Sequence, residues 1–162
     1  MSTRSTTHFV HGDEPPVAIV YRHTDGYPEG AGVDIHRFLE RVEQETADTR
    51  FGDASYLAAK YVVFLAEMFA SRRPLDFLSV GIVREDYPDI EYRYIVDCGV
   101  QPDSSRAQRP TVRCLEIHDP AIGDHREVPI PVPSVSTTDA DELYGGYRYD
   151  DEDCRGWTEE QP

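Results

Sequence analysis

A chain of 162 residues with 31 acidic and 16 basic side chains carries a net charge of −15, and it is long enough for one domain with a buried core. This charge disfavours direct binding to nucleic acid or to an anionic membrane, and it favours a basic protein surface as the partner. The three cysteines form no closely spaced pair, which argues against a disulfide framework and favours a reduced, cytoplasmic location.

The first elements are predicted to form a β-hairpin. Residues 5–10 and 17–22 are short runs that favour β-strands, and the turn formers "HGDEPP" separate them. Pro15 and Pro16 cannot donate hydrogen bonds to a neighbouring strand, so the second strand is predicted to start at Val17.

Two helices are predicted next. Residues 33–46 place Ile35, Phe38, Leu39 and Val42 on one apolar stripe. A second helix is predicted from the cap residue Asp53 to about residue 71, with apolar side chains on most of its circumference. The second helix should therefore be mostly buried.

The following segments are predicted as strands. Residues 77–83 are almost continuously apolar, residues 90–96 alternate between two faces, and residues 111–118 form a third run. The prolines of "VPIPVP" at 128–133 limit that segment to an edge strand or a polyproline-like strap. We therefore predict an α+β fold for residues 1–133, in which an antiparallel sheet of about five strands packs on two helices.

Residues 134–162 are predicted to be an acidic tail. This segment contains nine acidic residues and two arginines, a net charge of −7, and it has no apolar period. It also contains four aromatic residues, Tyr144, Tyr147, Tyr149 and Trp157. Acidic segments with spaced aromatic side chains can dock on a partner or on their own domain.

The stretch "YRHTDGYPEGAG" at residues 21–32 joins the predicted hairpin to the first helix. His23 and Asp25 are two positions apart, so in an extended segment their side chains point to the same side. Such a pair can orient a general base, or it can simply stabilise a loop. Both interpretations remain open on the spacing alone.

The N-terminal part of the chain, through the predicted hairpin and into the first helix, resembles a group of small uncharacterised proteins from phages and bacteria. Those proteins open with a Thr-Arg-Ser strand and carry a Tyr-x-His-x-Asp-Gly-Tyr-Pro turn. The present chain has Thr24 where a tryptophan is common in the group. The resemblance is carried by Thr3, Arg4, Ser5, Tyr21, His23, Asp25, Gly26, Tyr27 and Pro28.

The predicted hairpin would lay the strand of Arg4 beside residues 17–22. Four side chains could then meet at one end of the sheet, those of Arg4, His23, Asp25 and Tyr27. They would form either a pocket for an anion or phosphate, or an ion-paired corner that fixes the hairpin to the helix. The predicted ligand-binding residues are Arg4, Tyr21, His23, Asp25, Gly26 and Tyr27, and the catalytic candidates among them are His23 and Asp25.

The stretch "HDPAIGDH" gives a weaker indication of a metal site. Two histidines and two aspartates in so short a stretch could bind a divalent cation, although a solvated turn is the commoner structure for this pattern. The residues concerned are His118, Asp119, Asp124 and His125. The chain has no nucleotide-binding, zinc-protease or serine-hydrolase motif, and we expect no metal or other cofactor.

Three functions follow in order of preference. We expect a non-enzymatic accessory protein of phage or mobile-element type, which binds a host protein or a small anionic ligand at residues 21–32. The first alternative is a small enzyme for a phosphorylated substrate, with His23 as base, Asp25 as its orienting group and Arg4 as phosphate clamp. The second alternative is an acidic mimic of nucleic acid, which the charge permits.

Overall fold

The α+β fold is confirmed by a computed structural model, which describes residues 2–46, 48–69, 79–99, 108–119 and 123–131. The N-terminal hairpin is present, and the sheet has six strands rather than about five. In chain order the elements are β1 (Ser5–Val10), β2 (Ala18–Arg22), a π-helical turn (Pro28–Gly32), α1 (Val33–Glu45), α2 (Ala54–Phe69), β3 (Val80–Val83), β4 (Tyr92–Asp97), β5 (Thr111–Asp119) and β6 (Asp124–Val128). The predicted tail at 134–162 lies outside the described residues.

The strand order is β3-β2-β1-β4-β5-β6. Every neighbouring pair is antiparallel except β1 and β4, which run parallel with Ser5 opposite Tyr92 and Val10 opposite Asp97. The first strand of the chain therefore lies inside the sheet, between its hairpin partner and a strand that follows both helices in the sequence. The predicted antiparallel sheet is thus present, with one parallel pair at its centre.

The sixth strand begins inside the stretch "HDPAIGDH", for which a turn was the commoner expectation, and it ends at the first residue of the predicted edge strand or strap. Gly123, the residue before β6, adopts a φ of +70°, which glycine accommodates without strain. The polar residues that follow are exposed, and β6 pairs with β5 through its backbone. The sequence pattern missed this strand because an edge strand does not need an apolar face.

One face of the sheet carries both helices and the main core. The predicted stripe of α1 is buried, as are Leu57, Tyr61 and Leu65 of α2. From the sheet, Phe9, Val20 and Tyr94 contribute to the same cluster. Asp53 caps α2 as predicted, because its Oδ1 accepts the backbone N–H of Tyr56 at 3.0 Å.

The second face of the sheet is crossed by the connection between β3 and β4, residues 84–91. By register, this face carries Thr6 and His8 of β1, Tyr21 of β2 and Arg93 of β4. The connection must pass from an edge strand to the middle of the sheet, and Asp86 contacts Thr6 and His8 on the way. No helix in the described part of the chain has the length and apolarity needed to cross a bilayer.

The predicted strap at 128–133 is partly described. Val128 is the last residue of β6, and Ile130 packs against the core beyond it. A Cβ on Gly32 would lie 2.8 Å from Cγ2 of Ile130, so the absence of a side chain there lets the segment approach the start of α1.

Candidate functional site

A buried ion pair fixes the stretch at 21–32 between β2 and α1. Nη1 of Arg22, the last residue of β2, lies 2.7 Å from Oδ2 of Asp34 in the first turn of α1. Nε of the same arginine donates to the carbonyl of Thr24 at 2.7 Å. Both charged side chains are buried, so each compensates the other in a region of low dielectric. This pair was not predicted, because the predicted corner consisted of Arg4, His23, Asp25 and Tyr27.

Gly26 packs the turn directly against the segment that leads into β1. A Cβ at this position would lie 2.8 Å from the carbonyl carbon of Arg4. The Gly26 N–H donates to the carbonyl of Thr3 at 3.0 Å, and the Gly26 carbonyl accepts from the hydroxyl of Tyr94 at 2.8 Å. Any side chain here would separate the turn from the sheet.

Asp25 and Tyr27 lie on the outside of the turn. Asp25 has a φ of 53°, and its carbonyl accepts the backbone N–H of Ala31 at 2.9 Å. A Cβ on Gly30 would lie 2.5 Å from that same carbonyl oxygen. The backbone of Asp25 therefore closes the turn, while its carboxylate and the ring of Tyr27 are exposed.

Arg4, Tyr21 and His23 come together on the second face of the sheet. The register of β1 and β2 ends with Ser5 opposite Arg22, and Arg4 and His23 are the residues next to this last pair. The hydroxyl of Tyr21 lies 3.0 Å from Nδ1 of His23, and Arg4 is close enough for its charge to act on Tyr21. A direct contact between Arg4 and His23 stays a prediction.

The connection between β3 and β4 adds two residues to this group. Tyr87 packs edge-on against Tyr21, with the ring centroids 4.9 Å apart, and Asp89 forms an ion pair with Arg4. Burial raises the pKa of Tyr21, the charge of Arg4 lowers it and the charge of Asp89 raises it. We refer to Arg4, Tyr21, His23, Tyr87 and Asp89 together as the tyrosine patch.

The hydrogen bond between Tyr21 and His23 bears on the predicted role of His23. Within the part of the chain that the structure describes, the His23 ring is bonded to Tyr21 and makes no hydrogen bond to Asp25. The carbonyl of His23 accepts from the hydroxyl of Ser2. The structure therefore does not form the His23–Asp25 dyad that the enzyme alternative requires.

A second polar cluster on this face was not predicted. Oδ1 of Asp86 lies 2.6 Å from the Thr6 hydroxyl and 2.7 Å from Nε2 of His8, and its Oδ2 accepts from Nε of Arg93 at 2.7 Å. Burial by itself would raise the pKa of Asp86, but the hydrogen bonds from His8 and Thr6 and the charges of His8 and Arg93 lower it to about 2. The cluster holds the crossing connection onto the sheet.

The sequence contains one signal for this cluster. Thr6 and His8 alternate with apolar or small residues in β1, and this pattern indicates a polar set on one face of the strand. Asp86 belongs to "REDYPD", which has the composition of a surface turn. Only the path of the connection across the sheet reveals that this turn covers the polar face.

The four weak metal candidates do not assemble. His118 lies 3.9 Å from Glu116, and Nδ1 of His125 contacts the carbonyl of Gly123 at 2.7 Å. Across residues 2–46, 48–69, 79–99, 108–119 and 123–131, no group of three His, Cys, Asp or Glu side chains is placed to hold a metal ion. His118, Asp119, Asp124 and His125 instead lie on exposed positions of β5 and β6.

Cys98 and Cys114 are free and buried. Burial raises the pKa of Cys98 to about 12, with a further contribution from Asp97. Burial also raises the pKa of Cys114 to about 11, although a hydrogen bond with Tyr94 opposes the increase. Neither thiol has the lowered pKa that a nucleophilic cysteine requires.

A groove of about 440 Å³ lies between α1 and α2, on the side of the helices away from the tyrosine patch. Its floor is apolar, with Phe38 and Phe64 among its lining residues, and Arg41 on its rim pairs with both Glu45 and Glu67. The charges on this rim are therefore largely compensated within the protein itself.

Comparison with known proteins gives no match to a family model, to a curated protein or to a solved structure. The resemblance to small phage and bacterial proteins stays a prediction.

Proposed function

We propose that this chain is a non-enzymatic binding protein that engages a basic surface of a partner protein through the tyrosine patch. The observation that carries the proposal is the grouping of Tyr21, Tyr87, His23 and the Arg4–Asp89 pair on the second sheet face. The patch includes the predicted ligand-binding residues Arg4, Tyr21 and His23, and it is continuous with the turn at residues 21–32.

The composition of the patch supports recognition of a protein. Tyrosine and arginine are enriched at the centres of protein interfaces, because they offer a large contact area together with a polar group. Tyr87 is 48% exposed, and His23 is exposed beside it. The edge-on contact with Tyr21 holds the ring of Tyr87 in place before binding, which reduces the entropy lost when a partner arrives.

The charge supports a basic partner. The chain has a net charge of −15, and complementary potential raises the rate of association and selects among partners. Within the patch, Asp89 neutralises the guanidinium of Arg4, so the patch does not offer a free cation to an anion. The same ion pair gives less support to a small anionic ligand or to a phosphate clamp.

Two contacts give less support to the enzyme alternative. His23 is bonded to the Tyr21 hydroxyl instead of Asp25, and Arg4, the predicted phosphate clamp, is paired with Asp89. A general base needs an orienting group and a bound substrate within hydrogen-bonding reach. The binding proposal requires neither His23 nor Arg4 to leave its present partner.

The test is quantitative capture from a bacterial lysate with the full chain, at low and at moderate salt. We expect Tyr87→Ala and His23→Ala to reduce recovery of the captured protein by about tenfold, since truncation at an interface centre removes a large part of the affinity. The matched control is Tyr56→Ala, because Tyr56 is 44% exposed but lies at the groove between the helices.

The control variant should capture as much as the unmodified chain, and salt should weaken capture by the unmodified chain. Equal recovery by all variants would contradict the proposal, as would capture that does not respond to salt.

A further inference from the structure

Among the residues that the structure describes, no strand pairs with the outer edge of β3. In an antiparallel pair, alternate residues direct their N–H and C=O groups to the partner strand. His23 N–H donates to the carbonyl of Ser79 at 3.0 Å, so Ser79, Gly81 and Val83 face β2. The N–H and C=O groups of Val80 and Ile82 consequently point away from β2, and no described strand lies on that side.

The two edges of the sheet differ in their protection. β6 carries Asp124, His125, Arg126 and Glu127 in succession, and charged side chains on an edge strand prevent pairing with other chains. β3 reads Val-Gly-Ile-Val, with no charged residue. Ile82 is 76% exposed, which makes it the most exposed of the large hydrophobic side chains in the described residues. The charged side chains that disfavour pairing at β6 therefore have no counterpart in β3.

Gly81 connects this edge to the tyrosine patch. It lies opposite Tyr21 in the register of β2 and β3, and a Cβ built on it would meet no atom within 4 Å. A strand added to β3 would place one side chain beside Gly81, on the same face as Tyr21. Because Gly81 has no side chain, that added side chain could reach over it to the rings of Tyr21 and Tyr87.

We propose that the partner binds as an extended basic segment that adds a seventh strand to β3 and directs an arginine over Gly81 onto the tyrosine rings. This proposal rests on the proposed function and specifies the partner of the same patch. An apolar residue of the segment would cover Ile82 on the helix-bearing face. Backbone hydrogen bonds provide affinity in this mode of recognition, and the alternating side chains provide specificity.

The net charge of the chain and the rings of Tyr21 and Tyr87 indicate which residues the added strand should carry. The chain carries −15 overall, while Arg84 and Glu85 immediately after β3 offset each other. A guanidinium over an aromatic face gains cation–π attraction, and arginine makes this contact more often than lysine. A second copy of the same acidic chain would meet like charge at this edge, so an extended basic segment of another protein is the occupant that fits.

The test uses the full chain and a labelled, amidated heptapeptide in which valine and arginine alternate, with binding followed by fluorescence anisotropy. A peptide of the same composition with its arginines and valines in separate blocks is the control for charge alone. We expect the alternating peptide to bind at least about tenfold more tightly than the block peptide, because only the alternating one matches the two faces of a strand.

Two variants test the edge without disturbing the fold. Gly81→Val fills the open space beside Tyr21, and Ile82→Pro removes an N–H that points away from β2, a site where an edge strand tolerates proline. Each should weaken binding of the alternating peptide by at least about tenfold, while Ile82→Val should bind within about twofold of the unmodified chain. Circular dichroism should show the same fold for all three.

Hydrogen exchange identifies the binding mode directly. The amides of Val80 and Ile82 should exchange quickly in the free protein and become protected when the alternating peptide binds. Protection in the free protein would mean that another segment or a second copy already occupies the edge, and the proposal would be wrong. Equal binding of both peptides, or undiminished binding by Gly81→Val and Ile82→Pro, would also overturn it.

These outcomes separate the two proposals. If Tyr87→Ala loses the captured partner while Gly81→Val and Ile82→Pro retain it, the tyrosine patch stands as the recognition surface and strand addition is refuted. If none of the three variants changes capture, the proposed function itself fails.

Discussion

Arg22 and Asp34 form an ion pair of 2.7 Å in which the two side chains are only 5% and 9% exposed. Removal of one partner leaves an uncompensated charge in the protein interior, which typically costs about 3–5 kcal/mol. We therefore expect Asp34→Ala to lower the free energy of unfolding by about that amount, measured by urea denaturation followed by circular dichroism. The double variant Arg22→Met, Asp34→Leu should recover most of the loss, and a double variant as unstable as the single one would contradict this account.

Gly26 and Gly81 provide a matched pair of substitutions. Gly26→Ala forces a Cβ to within 2.8 Å of backbone atoms of Arg4, and such overpacking should cost about 2 kcal/mol or more. Gly81→Ala meets open space in a strand, where alanine is better than glycine by about 0.5–1 kcal/mol. Urea denaturation of both variants should thus show effects of opposite sign.

The pKa of Asp86 predicts a loss of stability in acid. The folded value of about 2 lies below the usual 3.8, so the stabilisation is fully present above about pH 4 and disappears as the pH falls towards 2. We expect Asp86→Asn to be less stable at neutral pH and to lose less stability between pH 4 and pH 2. The control is Asp48→Asn on the surface, which should keep the pH dependence of the unmodified chain.

The buried thiols should be unreactive in the folded protein. The pKa values of Cys98 and Cys114, about 12 and 11, leave almost no thiolate near pH 8, and burial also denies access to a reagent. In a Cys154→Ser background, iodoacetamide should modify neither residue in the native state and both in urea, as read by mass spectrometry. Rapid modification of native Cys98 would show that its surroundings are open.

The elements that the sequence predicted well are those with a local apolar pattern. The stripe of α1 and the cap Asp53 of α2 are signals contained within a short stretch of chain, and the alternation of β4 correctly separates Tyr92 and Tyr94 from Arg93. Strand β6 has no such pattern, since its side chains are exposed and only its backbone pairing makes it a strand. The periodicity of apolar residues indicates which side chains are buried. It therefore cannot predict an edge strand whose side chains are mostly polar and exposed.

In the candidate site, too, the sequence predicted the local features and missed the contacts between distant segments. The hairpin register was enough to predict that Arg4 and His23 lie at the same end of β1 and β2, because the two residues flank the last pair of one hairpin. Tyr87 and Asp89 reach the patch only because the β3–β4 connection crosses the sheet, and no spacing in the sequence encodes that path. The ion-pair partner of Arg4 therefore comes from a distant part of the sequence, where local reasoning could not find it.

The position of β1 has a consequence for synthesis of the chain. β1 is synthesised well before β4, which begins at Tyr92, yet β4 is the strand that pairs with one of the two edges of β1. Until β4 is made, one edge of β1 has no partner strand in the nascent chain, and it can form non-native pairs with other strands. A chain that stops after Val83 lacks β4 permanently, so we expect this fragment to aggregate rather than to fold as a smaller version of the domain.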